Sequence, residues 1–327
     1  MLAAHKIEQR TLRQAISFVG VGLHSGRMTR LTLRPNQDSN GILFQRSDVE
    51  NGRGLIAARW YNVSDTRLST TISNEYGVSV ATIEHLMAAL AGCGVDNALI
   101  DIDGPEVPIM DGSAEPFATS IEKYGTLSLK VPRNAIWIQQ PIEVRDGDKH
   151  ALLLPARKPR ITLSIDFPDT LIGAQVYSIE LVNEAFVQQL ARSRTFGFAQ
   201  QVEALRDQGL ALGGSLNNAI LVDGDRIINR GGLRYADEFV RHKVLDAYGD
   251  LALAGVPIIG HYYGHKSGHA LNKRLMEKLF ESHSSWSYVT LGEYEKMMGV
   301  SLHEGARKTS TSRDDAPDNL RVAGHSR

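Results

Sequence analysis

Residues 241–250 read RHKVLDAYGD and set His242, Asp246 and Asp250 at intervals of four. On an α-helix, four residues advance about 400°, a net offset of about 40°, with a rise of about 6 Å. The three side chains would share one face. A neutral imidazole and a carboxylate one turn apart can both ligate Zn2+, at about 2.0–2.2 Å. Two such ligands are too few, because a catalytic zinc site takes three from the protein and leaves the fourth position to water. The same spacing also suits the solvated face of an amphipathic helix. With His242 at 0°, the residues Val240, Val244, Ala247 and Leu251 gather between about 140° and 200° as a core stripe. Two residues argue against a wet face. Leu253 falls near 20°, among the polar residues, and Gly249 near about 340°. Glycine inside a helix costs about 1 kcal/mol relative to alanine. Beside a His/Asp face it suits close approach of another backbone or a ligand.

The third ligand must come from elsewhere, and TIEHLMAAL offers His85. Thr82 is expected to cap a helix from Ile83 to about Ala91, stopped by Gly92 and Gly94. A lone histidine on so apolar a helix could equally be a core or surface residue. Its neighbour Glu84 sharpens the alternative. In zinc peptidases a glutamate beside a ligand histidine is the general base on the metal's water, and here the order is Glu then His. The segment HYYGHKSGHALN adds His261, His265 and His269, again four apart. A second metal cluster is one reading. The glycines and tyrosines instead predict a loop entering a helix near Ser267, so that the three need not share a face. His269 would then sit in the first turn, where N–H groups and the helix dipole favour anions. That place suits an acid or oxyanion partner, with Asp250 orienting the ring through its other nitrogen.

Around these residues, RLTLRP, GILFQRS and NALIDID read as strands, and GPEVPIMDGSAEPF as a loop leading to a helix that ends near Lys123. RDGDK reads as a tight hairpin turn, and RITLSIDF alternates as a strand should. NEAFVQQLARSR, FAQQVEALRDQGL, DEFVRHKVLDAYGDLALAG and KSGHALNKRLMEKLFESH read as helices, the third ending at Gly255 before Pro257. The neighbourhood of Pro132 is the expected boundary. It gives an N-terminal α+β domain over 1–130 with the Glu-His pair, and a C-terminal α+β domain over 131–303 with the His-x3-Asp pair. From 304 on, EGARKTSTSRDDAPDNLRVAGHSR is polar and predicts a disordered tail. Two similar halves are conceivable, although the letters show no repeat.

Composition narrows the class. The 327 residues allow two domains, with 42% hydrophobic and 22% charged residues, ordinary values for a soluble globular chain. A net charge of −1 gives no electrostatic case for nucleic acid or an anionic membrane. One cysteine, Cys93, forms no internal disulfide. Neither a signal-peptide h-region nor a membrane-length apolar run is visible. The expectation is a cytoplasmic protein without stable membrane insertion.

Taken together, TIEHLMAALAGCGVDN, PIMDGSAEPF, SRTFGF, GGSLNNAI, DEFVRHKVLDAYGDLALAG and GHKSGHALN, with GVGLHSG near the start, resemble the UDP-3-O-acyl-N-acetylglucosamine deacetylases of Gram-negative bacteria over about residues 6 to 295. These zinc enzymes catalyse the committed step of lipid A biosynthesis. The resemblance implies one catalytic Zn2+ per chain on His85, His242 and Asp246, with Glu84 as general base. It implies a protonated His269 held by Asp250, and Thr195 hydrogen-bonding the oxyanion. Lys243 and Phe196 match substrate contacts, and Lys149 and Lys266 match basic positions near the diphosphate. Asp111 matches an acid near the site. Phe196, Val202, Ala211, Ser215, Asn218 and Ala219 match the passage for the 3-O-acyl chain. The implied fold is two similar α+β domains packed face to face, helices inside and sheets outside, with the active site between them. The implied partner is a UDP-sugar with an acyl chain, bound by a monomer.

Two readings compete. One is a zinc amidase acting on another N-acetylated sugar nucleotide. The other is a sugar-nucleotide-binding protein that has lost catalysis, which predicts a missing base or ligand. Glu84, His85, His242, Asp246 and His269 are all present.

Overall fold

A computed structural model describes residues 7–182 and 184–302. The tail expected from 304 lies outside the described residues. Two five-stranded sheets organise the chain. In the first, the order is Ile16–Val21, Met28–Pro35, Ala98–Ile102, Ile42–Arg46 and Leu55–Ala57. In the second it is Ile142–Asp146, Lys149–Leu154, His261–His265, Arg160–Phe167 and Gly173–Glu180. Numbered within each half, both sheets run first, second, fifth, third, fourth. In both, the fifth strand pairs antiparallel with the second and parallel with the third. The halves therefore share one topology, which the letters alone did not reveal.

Seven helices are described: α1 (Glu84–Gly92), α2 (Glu115–Tyr124), α3 (Ala185–Gln189), α4 (Val202–Asp207), α5 (Glu238–Leu251), α6 (His269–Glu281) and α7 (Leu291–Met298). The repeat places them too. In the first half α1 precedes the central fifth strand and α2 follows it; in the second α5, after the short α3 and α4, precedes it and α6, then α7, follows. A parallel neighbour needs a crossover connection, and α1 and α5 lie in those crossovers. Alternating strand residues such as Leu31 and Leu33, or Ile161, Leu163 and Ile165, point inward and are buried. Helices cover that face. The central contact is between α1 and α5, while α5 packs on the strands Arg160–Phe167 and Gly173–Glu180 and α6 on Ile142–Asp146. The layers run sheet, helix, helix, sheet, as the resemblance implied.

The strand Thr126–Pro132 pairs with Glu8–Leu12, whereas Asn134–Ile138 pairs with Ile258–Ile259 and Trp286–Thr290. Among the described residues, no helix is long and apolar enough to cross a membrane.

Several local expectations need correction. Thr82 does not cap α1. Its φ is +57° and its hydroxyl donates to Glu106 Oε1 at 2.9 Å. The helix expected over NEAFVQQLARSR is only the short α3, and the next shrinks to a 3-10 turn, Ala199–Gln201, followed by α4. The HYYGH segment is a strand, not a loop, since it is the central strand of the second sheet. The hairpin falls where Asp146-Gly147 predicted it, with Asp146 opposite Lys149 and Gly147 at φ +59°.

Candidate active site and metal centre

Where α1 crosses α5, both helices are buried nearly all round. Seven of the nine residues of α1 lie inside, Glu84 and His85 among them. In α5 the buried set includes His242, Asp246, Gly249 and Asp250 as well as the apolar stripe. The polar face is thus not wet. Gly249 permits this crossing. A Cβ on it would stand 2.0 Å from the Glu84 carbonyl oxygen, so any side chain there would push the helices apart.

The crossing brings His85 to His242 and Asp246. Their ligand atoms all lie within 4.8 Å of one another. Asp246 Oδ1 stands 3.1 Å from His242 Nε2 and 3.4 Å from His85 Nε2. It is buried and has no hydrogen-bond partner. His242 Nδ1 donates to the Ser193 carbonyl at 3.0 Å. That bond fixes the neutral tautomer, and Nε2 then offers a lone pair. A lone pair facing an orphaned carboxylate oxygen is repulsive unless a cation lies between them. Two nitrogen or oxygen ligands on a tetrahedral zinc stand about 3.3 Å apart, close to the two distances from Asp246 Oδ1 to the imidazoles. Lys243 Nζ holds the other oxygen, Oδ2, at 2.8 Å. Burial opposes the Asp246 charge, but His242 and Lys243 hold its carboxyl well below the usual range. Burial likewise lowers the His242 pKa, which favours the neutral ligand form.

Beside the triad lies a second set. Glu84, 3% exposed, has its pKa raised by burial, partly countered by His269 and His85. Its Oε2 accepts the Thr70 amide at 3.0 Å, and its Oε1 is 3.9 Å from His269 Nε2. His269 is the first residue of α6, after Gly268 as N-cap. Its Nδ1 donates to Asp250 Oδ2 at 2.8 Å. Burial disfavours the imidazolium, yet Asp250 and Glu84 outweigh it and raise the pKa to about 9. Asp250 is held in turn by the Thr70 hydroxyl at 2.6 Å and by Asn272 Nδ2 at 2.8 Å. Tyr262 donates to Asn272 Oδ1 at 2.6 Å. Sequence reasoning missed Thr70, Asn272 and Tyr262. No periodic or motif signal singles out a threonine in RLSTT.

The remaining candidates are placed as follows. Thr195 donates its amide to Gly112 O at 2.8 Å, and Phe196 lies edge-on to Phe239 and to His242, with ring centroids 5.0 and 6.4 Å apart. Asp111, 2.7 Å from Arg234, anchors the loop that carries Gly112. Lys149 and Lys266 flank His150 and His265, which face each other across neighbouring strands. Lys266 is already paired with Asp148 and Asp166, at 2.9 and 3.2 Å. Ala211, Ser215 and Ala219 lie on the segment leading to the strand Ile220–Asp223. Asn218 spends its amide closing a turn, on Ser215 N and Gly213 O. The structure separates the three histidines of HYYGHKSGH. His261 bonds Thr162 and His265 bonds Ser164, on the sheet face opposite the buried Tyr262, while only His269 enters the site. A cavity of about 550 Å³ is lined in part by Met87, Phe186, Tyr248 and Val256 and includes none of the triad. A smaller pocket is lined by Thr70, Asp250 and His269, with Trp60, Val63 and Leu253.

The fold and this site define a metal-dependent hydrolase built between two α+β halves, with His85, His242 and Asp246 as a site for a single zinc ion. Residues 9–281 match the family model described as LpxC, UDP-3-O-acyl N-acetylglycosamine deacetylase. The UDP-3-O-acyl-N-acetylglucosamine deacetylase of Acidithiobacillus ferrooxidans is 48% identical over 289 residues, 88% of this chain and 94% of the relative. That of Idiomarina loihiensis is 46% identical over 307 residues, 93% of this chain and 100% of the relative. That of Myxococcus xanthus is 49% identical over 281 residues, covering 86% and 89%. The chain belongs to the UDP-3-O-acyl-N-acetylglucosamine deacetylase family.

Proposed function

We propose that this chain hydrolyses the acetamide of UDP-3-O-acyl-N-acetylglucosamine to acetate and UDP-3-O-acyl-glucosamine, the committed step of lipid A biosynthesis. The observation that carries the reading is the orphaned Asp246 Oδ1 facing two histidine nitrogens, with Glu84 and His269 alongside. Zinc held by His85, His242 and Asp246 supplies Lewis acidity towards water and the amide carbonyl. Glu84, held by the Thr70 amide on one oxygen, takes a proton from water as the C–O bond forms. Such a positioned base is worth about 10²–10⁴-fold. Thr195 takes the role of hydrogen-bonding the developing oxyanion. As the C–N bond breaks the amine needs a proton, and Glu84 and His269 Nε2 are the two donors beside it. Asp250 keeps His269 charged and oriented. Lys243 and Phe196 are assigned to the sugar, and Lys149 and Lys266 to the diphosphate. Ala211, Ser215 and Ala219 are assigned to the acyl passage.

The same proposal takes the division near residue 130 as the domain boundary and the chain as a cytoplasmic monomer. The change of strand partner between Pro132 and Asn134 supports the boundary. Acetate release by the zinc-loaded protein, with Glu84→Ala alongside, is the test. Turnover by the wild type and a loss of about 10² or more in the variant is expected. No release despite bound zinc would move the chemistry to another amide. Equal turnover in both would remove Glu84 from the reaction.

A further inference from the structure

Glu106 was not among the candidates, yet it is 1% exposed and binds three groups at once. Its Oε1 accepts the His24 amide at 2.8 Å and the Thr82 hydroxyl at 2.9 Å, and its Oε2 accepts the Ser25 amide at 2.7 Å. The partners belong to two arms of the site, Thr82 to one and His24 with Ser25 to the other. Thr82 lies two residues before Glu84, at φ +57°. For a β-branched residue that conformation is an outlier, costing of order 1–3 kcal/mol unless its surroundings impose it. The neighbouring backbone is tied as well. Val107 donates to Ala81 O, Ala81 donates to Pro105 O, and Ile83 donates to Thr70 O, whose own amide holds Glu84.

The other arm is the loop from Gly22 to Gly26. Its Leu23 and His24 carbonyls accept the amides of Gly213 and Leu212, at 3.0 and 3.2 Å. His24 Nδ1 accepts from Ala211 N at 3.4 Å, and Ala211 is itself at φ +53°. The loop must lack bulk here. A Cβ on Gly22 would meet Glu106 Oε2 at 2.4 Å, and one on Gly213 would meet Gly22 O at 2.2 Å. One buried carboxylate thus joins the segment assigned to the acyl passage with the turn that launches the general base.

We propose that Glu106 is a positioning residue that couples the acyl-binding segment around 211–213 to the placement of Glu84. The inference rests on the function proposed above for those two elements. A charge-assisted bond is roughly twice as strong as a neutral one, so the carboxylate holds Thr82 and the loop together better than an amide can. Glu106→Gln keeps the shape but presents an NH2 to at least one N–H or O–H donor.

Two measurements test this. The first is kcat and KM on substrates with a long and with a two-carbon 3-O-acyl chain. In the wild type, the long chain should raise kcat. In Glu106→Gln, kcat on the long chain should fall about tenfold or more, and the long-chain advantage should shrink to near unity. Thr82→Val, which removes one of the three bonds, should lower kcat with little change in KM, and carries the test if the Gln variant does not fold. Equal losses on both substrates would overturn the coupling. The second is amide hydrogen exchange in the zinc-loaded protein, which does not depend on turnover. Glu106→Gln should speed exchange about tenfold both at 212–213 and in the first turns of α1. Acceleration confined to residues 24–25 would overturn the inference. A wild type that releases no acetate yet shows the coupled exchange would sink the proposed substrate and leave the coupling standing.

Discussion

Gly249 of α5 rests against the Glu84 carbonyl of α1 so closely that a Cβ would come within 2.0 Å of it. This contact sets the distance between the helix that carries His242 and Asp246 and the helix that carries His85. The closeness has a helical cost, and the metal site is what it makes possible.

Gly249→Ala therefore sets two effects against each other. Helix propensity favours alanine by about 1 kcal/mol, while forcing bulk into a packed contact costs about 1–3 kcal/mol. Here the obstacle is backbone, which cannot rotate away, so the steric term should win. The variant should melt lower and bind zinc more weakly. A more stable variant with full zinc would show that the crossing has slack.

Metal content should separate the histidines. His242→Ala should lose most bound zinc at micromolar free metal, because it removes one of three ligands. His261→Ala and His265→Ala should keep one zinc per chain, since both rings bond hydroxyls on the far face of the second sheet. Metal analysis of the purified variants decides. Undiminished zinc in His242→Ala would remove the triad as the metal site.

The pH profile should carry a basic limb from His269. Its pKa rises from an ordinary value of about 6.5 to about 9, burial being outweighed by Asp250 and Glu84. A raised histidine stabilises the fold fully below the unfolded pKa. That contribution is lost as pH climbs through the folded value, so the window lies between about 6.5 and about 9. The kcat/KM should fall above about 9 if the imidazolium is the required form. Asp250→Asn should move that limb to lower pH. A limb unmoved by this change would assign it to another group.

Thr70→Val keeps the shape and removes the hydroxyl that donates to Asp250 at 2.6 Å. The Thr70 amide on Glu84 survives the change. A buried acceptor left unpaired costs about 1–3 kcal/mol, and part of that should appear in the reaction. We expect kcat to fall about tenfold with zinc content unchanged. Wild-type kcat in this variant would reduce Thr70 to a packing residue.

Residues on one element were legible without coordinates. The four-residue interval put His242, Asp246 and Asp250 on one face, and the misplaced Leu253 and Gly249 already argued that this face was not wet. The adjacency of Glu84 and His85 pointed to a base beside a ligand. The shared, buried face of α5 was legible because helical geometry is local and depends only on spacing. The HYYGH segment misled for the opposite reason. Its tyrosines and glycines resemble a loop, and only pairing on both sides made it a central strand.

Contacts between distant segments belong to the tertiary structure alone. Thr70 and Asp250 stand 180 residues apart in the chain, and Thr82 reaches Glu106 across 24. No periodicity records such pairs, because which surfaces meet is decided by burying two apolar faces against each other. The sequence by itself determined which side chains could bind a metal and move a proton. The packing of α1 and α6 on α5 determined that they meet, that Asp250 and Glu84 raise the His269 pKa, and that Asp250 is held in place.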